Sequence, residues 1–167
     1  YPTGNCKTID INGGTLTWTN LIPGQYTISE NNPGSEWDVT YSSTSIAVNP
    51  GETCATATIT NTYLPGCLQI TKTVELGDLV NPESISETFT ICIQGPSYPT
   101  GNCKTIDING GTLTWNNLIP GQYTITEQDP GPEWITTVPA EPITVSAGSP
   151  CATATITNTY NPGCLQI

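Results

Sequence analysis

Apolar and polar residues alternate with period two along much of this chain, the pattern of strands that bury one face. In CATATITNTY, residues 151–160, Thr153, Thr155, Thr157 and Thr159 take one side, and Ala152, Ala154, Ile156, Asn158 and Tyr160 take the other. CLQITKTV, residues 67–74, sets Leu68, Ile70, Lys72 and Val74 against Cys67, Gln69, Thr71 and Thr73. In QYTITEQ, residues 122–128, Tyr123, Ile125 and Glu127 share a face opposite Thr124 and Thr126. Three predicted strands therefore each bring one polar residue, a carboxamide, an amine or a carboxyl, to an otherwise apolar face. Burying an unpaired ammonium or carboxylate is costly, so these groups are expected to pair, lose their charge or react.

Composition agrees with an all-β class. Threonine, glycine and proline are abundant, good helix formers are scarce, and 35% hydrophobic residues with one phenylalanine make a lean core. The three lysines stand against 14 acidic residues, with no arginine or histidine, for a net charge of −11. That balance repels nucleic acid and anionic membranes, so neither is expected as a partner. No stretch is apolar and long enough to span a bilayer, and no signal segment opens the chain, which starts at Tyr1; a mature or internal fragment is expected. Seven cysteines without histidine point to disulfides in an oxidising, extracellular setting.

The odd cysteine follows from a repeat. YPTGNCKTIDINGGTLTW occurs at 1 and 98, CATATITNTY at 54 and 151, and PGCLQI at 65 and 162; each second copy starts 97 positions after the first. A unit of that length is a domain, so tandem domains are expected. Residues 1–65 are the C-terminal two-thirds of one repeat, 66–162 a complete repeat, and 163–167 the start of the next. Cys67, Cys92, Cys103 and Cys151 belong to the complete repeat, whereas Cys6, Cys54 and Cys164 have their repeat-mates elsewhere. Cys54 cannot reach Cys67, because the strand and linker between them hold the two roughly 40 Å apart. Cys92 and Cys103 flank the turn-rich QGPSYPTGN and close a hairpin, which leaves Cys67 for Cys151. If those two strands run parallel, the disulfide register brings Lys72 within about two residues of Asn158. The incomplete repeat lacks its own CLQITKTV strand, and preceding chain or a neighbouring subunit is expected to supply it.

The stretch GGTLTWNNLIPGQYTITEQDPGPEW, residues 110–134, resembles the collagen-adhesin B-type (SpaA-like) domains of bacterial surface proteins and pilins, and the related repeats of large adhesins, through its L-x-P-G-x-Y-x-x-x-E core. The turn reads PGPEW or PGSEW where that family has P-x-G-Y. The resemblance covers essentially the whole repeat and implies an Ig-like, prealbumin-like β-sandwich with parallel first and last strands. It also implies an intramolecular isopeptide bond between Lys72 and Asn158, assisted by Glu127; Glu30 and Asn61 are the matching positions of the partial repeat. Desolvation favours a neutral amine and a neutral acid, which are the nucleophile and proton carrier such a bond needs. It is one self-modification per domain, so no catalytic residue, cofactor or metal is assigned, and the protein is not read as an enzyme. The plainer alternative is a salt bridge of Lys72 with Glu127 while Asn158 caps a turn.

Thr71, Thr73, Thr153, Thr155, Thr157 and Thr159 are candidate O-glycosylation sites on a threonine face that β propensity alone also explains. There is no N-x-S/T sequon. The acidic stretches VELGDLVNPESISE and EQDPGPE lack calcium-loop spacing and read as solvated loops. Trp18, Trp37, Trp115 and Trp134 are expected in core or interdomain packing. Short proline-containing linkers, YLPG and YNPG, join the units head to tail as a semi-rigid rod. The function expected is a structural repeat of an extracellular bacterial fibre, a pilus-like filament or adhesin stalk at the cell surface, with identical repeats or subunits as partners and glycan as decoration. The alternative is a ligand-binding adhesin domain that recognises host matrix or glycan.

Overall fold

A computed structural model describes residues 5–51, 53–79 and 81–167. Among them the chain forms strands and one 3-10 turn at Pro82–Ser84, with no α-helix. It divides into two compact units, residues up to 31 with 39–60, and 32–38 with 61–167. The first four strands are β1 (Gly24–Thr27), β2 (Trp37–Tyr41), β3 (Ser45–Val48) and β4 (Ile59–Tyr63). The complete repeat contains β5 (Gly66–Glu75), β6 (Thr88–Gly95), β7 (Tyr98–Asp107), β8 (Gly111–Leu118), β9 (Gly121–Glu127), β10 (Trp134–Thr137), β11 (Ile143–Val145) and β12 (Ala152–Tyr160).

In the complete repeat two four-stranded sheets, ordered β10-β12-β5-β8 and β11-β9-β6-β7, face each other as a sandwich. The inward residues of the alternating pattern fill the space between them: Leu68, Ile70 and Ile156 from the first sheet meet Ile91, Ile93, Tyr123 and Ile125 from the second, with Trp115 and Leu118 beside them. β5 and β12 are parallel, pairing Ala152 with Leu68, Ile156 with Lys72 and Asn158 with Val74. Lys72 and Asn158 are therefore diagonal neighbours on the inward face, near enough for long side chains to meet.

Two disulfides fasten this frame. Cys67–Cys151 joins residues 84 apart in sequence at the start of the parallel pairing, and Cys92–Cys103 joins directly opposed residues of β6 and β7. Between β7 and β8 the chain changes sheet through the D-I-N-G-G turn, where Asn109 N–H donates to the Asp107 carboxylate at 2.9 Å. Gly110 there has φ of 67°, and a Cβ would sit 2.5 Å from the Lys72 carbonyl oxygen. Only glycine allows β8 to start so close to β5. At the β8–β9 corner the Tyr123 hydroxyl contacts the Ile119 carbonyl at 2.9 Å and accepts the Ser97 N–H at 3.0 Å. That fixes the strand carrying Glu127.

The partial repeat keeps a subset of these pairings. β1 and β3 pair Gly24 with Val48 and Tyr26 with Ile46, which is the register of β9 and β11 at the corresponding residues. β2 is hydrogen-bonded to β4. Residues 5–18 have the sequence of 102–115 but form no strand.

Candidate functional site

The only buried polar or charged residues among those described are Lys72 and Asn158, 2% and 0% exposed. Both lie on β5 and β12 at inward positions, and Glu127 closes the set from β9 in the facing sheet. The Lys72 amine donates to Glu127 Oε1 at 2.7 Å, and the two side chains are fully enclosed. Asn158 Nδ2 donates to the same oxygen at 3.1 Å. One carboxylate atom thus holds the amine and the carboxamide together. Glu127 Oε2 and Asn158 Oδ1 are buried with no hydrogen-bond partner. Orphan buried acceptors of this kind are costly in a finished core.

Burial lowers the pKa of Lys72 from its ordinary 10.5, and the hydrogen bond and charge of Glu127 offset part of that effect. The Lys72 nitrogen also lies 4.4 Å from the centre of the Phe89 ring. Phe89, 1% exposed, meets Trp134 edge-on at 5.1 Å, and Trp134 meets Tyr160 in the same way at 5.1 Å. These rings seal the cluster from water, which strengthens every charge interaction inside. The sequence reading did not single out Phe89. Its signal was there, because Phe89, Ile91 and Ile93 share one face of TFTICIQ.

Other predicted residues fall as follows. Cys67 is bonded to Cys151 and Cys92 to Cys103, while Cys6, Cys54 and Cys164 are free and exposed. Thr71, Thr73, Thr153 and Thr155 are exposed, and Thr157 and Thr159 half-buried. The Thr159 hydroxyl donates to Glu75 at 3.0 Å. Trp115 and Trp134 are buried, whereas Trp18 and Trp37 are half-buried. In the partial repeat Glu30 is half-buried beyond the end of β1, and its N–H donates to the Tyr41 hydroxyl at 3.1 Å; Asn61 is exposed on β4. Among the described residues no helix is long and apolar enough to cross a membrane.

The fold and site define an all-β sandwich module with a sealed lysine–glutamate–asparagine cluster between its sheets. No protein-family model matches the chain, and no curated protein sequence does. Solved structures similar to it include an adhesin of Mobiluncus mulieris containing intramolecular disulfide, isopeptide and ester bond cross-links, at 16% identity and a TM-score of 0.39 over 64% of this chain. A minor pilin of Streptococcus agalactiae aligns over 82% at 16% identity and a TM-score of 0.41, and a major pilin of Streptococcus pyogenes over 87% at 15% identity and a TM-score of 0.49. The chain spans 44% of the length of the Mobiluncus adhesin, and 66% and 69% of the two pilins.

Proposed function

We propose that this chain is a structural segment of an extracellular fibre or adhesin stalk, built of consecutive 97-residue repeats, and that each complete repeat locks itself with an amide between Lys72 and Asn158. The observation that carries the reading is the convergence of the amine and the carboxamide on one buried carboxylate oxygen, Glu127 Oε1. In the low-dielectric core the Lys72 ammonium passes one proton to Glu127, giving a neutral amine and a neutral acid. The amine lone pair attacks Asn158 Cγ, and the protonated carboxyl donates to Asn158 Oδ1, which otherwise has no partner. Glu127 then carries a proton from Lys72 Nζ to Asn158 Nδ2. The C–Nδ2 bond breaks, one ammonia leaves, and Glu127 remains a neutral acid beside the new amide. The step happens once, so the repeat is modified without turning over a substrate.

Such a bond joins the first and last strands of the repeat, the pair that tension along the chain would pull on. Together with the disulfide between the same strands it suits a segment that transmits force at a cell surface. Exposed Thr71, Thr73, Thr153 and Thr155 would carry O-linked glycan on the outward face of those strands. The test is the intact mass of the reduced, deglycosylated chain. Loss of one ammonia is expected in the wild type and no loss in Glu127→Ala, whereas an unmodified mass in folded wild-type protein would overturn the amide and leave a buried ion pair hydrogen-bonded to Asn158.

A further inference from the structure

An amide between Lys72 and Asn158 needs one register of β12 against β5, and the sequence of β12 specifies that register weakly. A period-two strand that slips by two residues keeps every side chain on its own face. In β12 such a slip exchanges Thr153, Thr155, Thr157 and Thr159 among themselves on the outward face. On the inward face it exchanges Ala152 with Ala154 and puts Ala154 or Asn158 in the place of Ile156. β5 is equally undiscriminating outward, with Thr71 opposite Thr155 and Thr73 opposite Thr157. No tight turn sets the pairing, because the strands are parallel and β6 to β11 lie between them along the chain. β10 pairs only with residues 157–160 of β12 and is held to the facing sheet by the ring contact of Trp134 with Phe89, so at residues 152–156 β5 is the only strand paired to β12.

At the buried cluster a slip is decisive. Two residues along a strand span roughly 6.6 Å, whereas Asn158 Nδ2 lies 3.1 Å and the Lys72 amine 2.7 Å from Glu127 Oε1. A carboxamide displaced by one such step leaves the amine and the carboxyl behind. The Cys67–Cys151 bond removes the ambiguity. Its Cα atoms are 4.6 Å apart, and it stands one position before the Leu68–Ala152 pair on the same two strands. A two-residue slip would set those Cα atoms roughly 8 Å apart, beyond what a disulfide spans. This fastening therefore accepts the register that joins Asn158 to Glu127 and rejects its neighbours.

We propose that Cys67 and Cys151 are positioning residues for the cross-link, an inference that rests on the proposed Lys72–Asn158 amide: their disulfide closes first, selects the register, and so couples the amide to an oxidising environment. The first step is thiol–disulfide exchange with a small-molecule disulfide such as oxidised glutathione. One protein thiolate forms a mixed disulfide and the other displaces the remaining glutathione, so two protein thiols are oxidised and one glutathione disulfide is reduced to two thiols. The second step is redox-neutral: the Lys72 Nζ–Asn158 Cγ bond forms, the Cγ–Nδ2 bond breaks, and one ammonia leaves. In a reducing compartment β12 samples several registers and the amide forms slowly. Once the disulfide has closed, the reacting groups are held in place and the amide forms fast.

The test makes the 167-residue chain by cell-free translation under reducing conditions, adds oxidised glutathione, and follows quenched samples by intact mass and peptide mapping. The Cys67–Cys151 link is expected before ammonia is lost, and ammonia loss is expected to run roughly 10-fold or more faster than in chain kept reduced. Cys67→Ala with Cys151→Ala reacts at the slow rate in both buffers and still reaches completion. Its pH profile keeps the wild-type shape, because Lys72, Glu127 and Asn158 are retained. Cys92→Ala with Cys103→Ala removes the other disulfide and keeps the fast rate. Circular dichroism at the reaction temperature checks that each chain is folded, and the wild-type time course stands without any variant. Ammonia loss that precedes the Cys67–Cys151 link, equal rates in reduced and oxidised wild type, or a slow Cys92→Ala, Cys103→Ala chain would each overturn the positioning role and leave the amide standing. A fully oxidised wild-type chain that keeps its ammonia overturns the amide itself, and the positioning role with it.

Discussion

At the scale of single residues, the cluster separates two roles of Glu127 that mutation can distinguish. Asn158→Ala removes the acceptor of the proposed amide but leaves Lys72 hydrogen-bonded to Glu127, whereas Glu127→Ala prevents the proposed amide and also leaves the buried Lys72 nitrogen without that partner. Leaving a buried polar group unpaired costs about 1–3 kcal/mol. Glu127→Ala is therefore expected to melt well below Asn158→Ala in calorimetry, although both lack the cross-link; equal melting temperatures would refute the separation. The lysine also gives Asn158→Ala a pH dependence. Its folded-state pKa is lowered by burial, so between that lowered value and about 10.5 the unfolded chain binds the proton that the folded one has released. Stability contributed by Lys72 is least below its folded pKa and rises with pH through that window, which urea melts at increasing pH would detect. Alternation alone showed that Lys72, Asn158 and Glu127 face inward. It could not show that one oxygen serves both nitrogen groups, because that depends on the side chains of two facing sheets.

At the scale of elements, β5 and β12 carry two fastenings: the Cys67–Cys151 bond and the proposed amide span almost the same loop. A cross-link stabilises chiefly by restricting the unfolded chain, by about 2–4 kcal/mol for a typical native disulfide. Once one link has closed that loop, the second has little left to restrict. Cys67→Ala with Cys151→Ala is thus expected to lower the melting temperature slightly in the wild type and much more in the Asn158→Ala background. Additive losses across the four proteins would argue that no amide forms. Cys92–Cys103 closes a short hairpin, 11 residues apart and already paired strand to strand, so its removal is expected to cost less than loss of Cys67–Cys151 in the Asn158→Ala background.

At the scale of the whole molecule, the two copies of the repeated sequence form an internal experiment. Features closed within a few residues recur in both. Tyr26 donates to the Ile22 carbonyl at 2.7 Å as Tyr123 does to Ile119, and Asp10 accepts the Asn12 N–H at 2.9 Å as Asp107 accepts that of Asn109. Lys7 and Lys104 bond the carbonyls of Thr17 and Thr114 and lie over Trp18 and Trp115 at 5.1 and 4.9 Å. The sequence by itself determines these turns and corners, because their donors and acceptors are near neighbours along the chain. Strands and burial do not follow in the same way. Residues 102–115 belong to β7 and β8, paired to β6 and β5, while the identical residues 5–18 form no strand. Trp115 is buried and Trp18 half-buried; Asn158 is fully enclosed and Asn61 exposed. Alternation marks which face of a segment can be buried, but a strand's hydrogen bonds and its core are made by residues far away in sequence. The enclosure of Lys72, Glu127 and Asn158 is therefore decided by the tertiary structure, through the pairing of β5 with β12 and of β6 with β9.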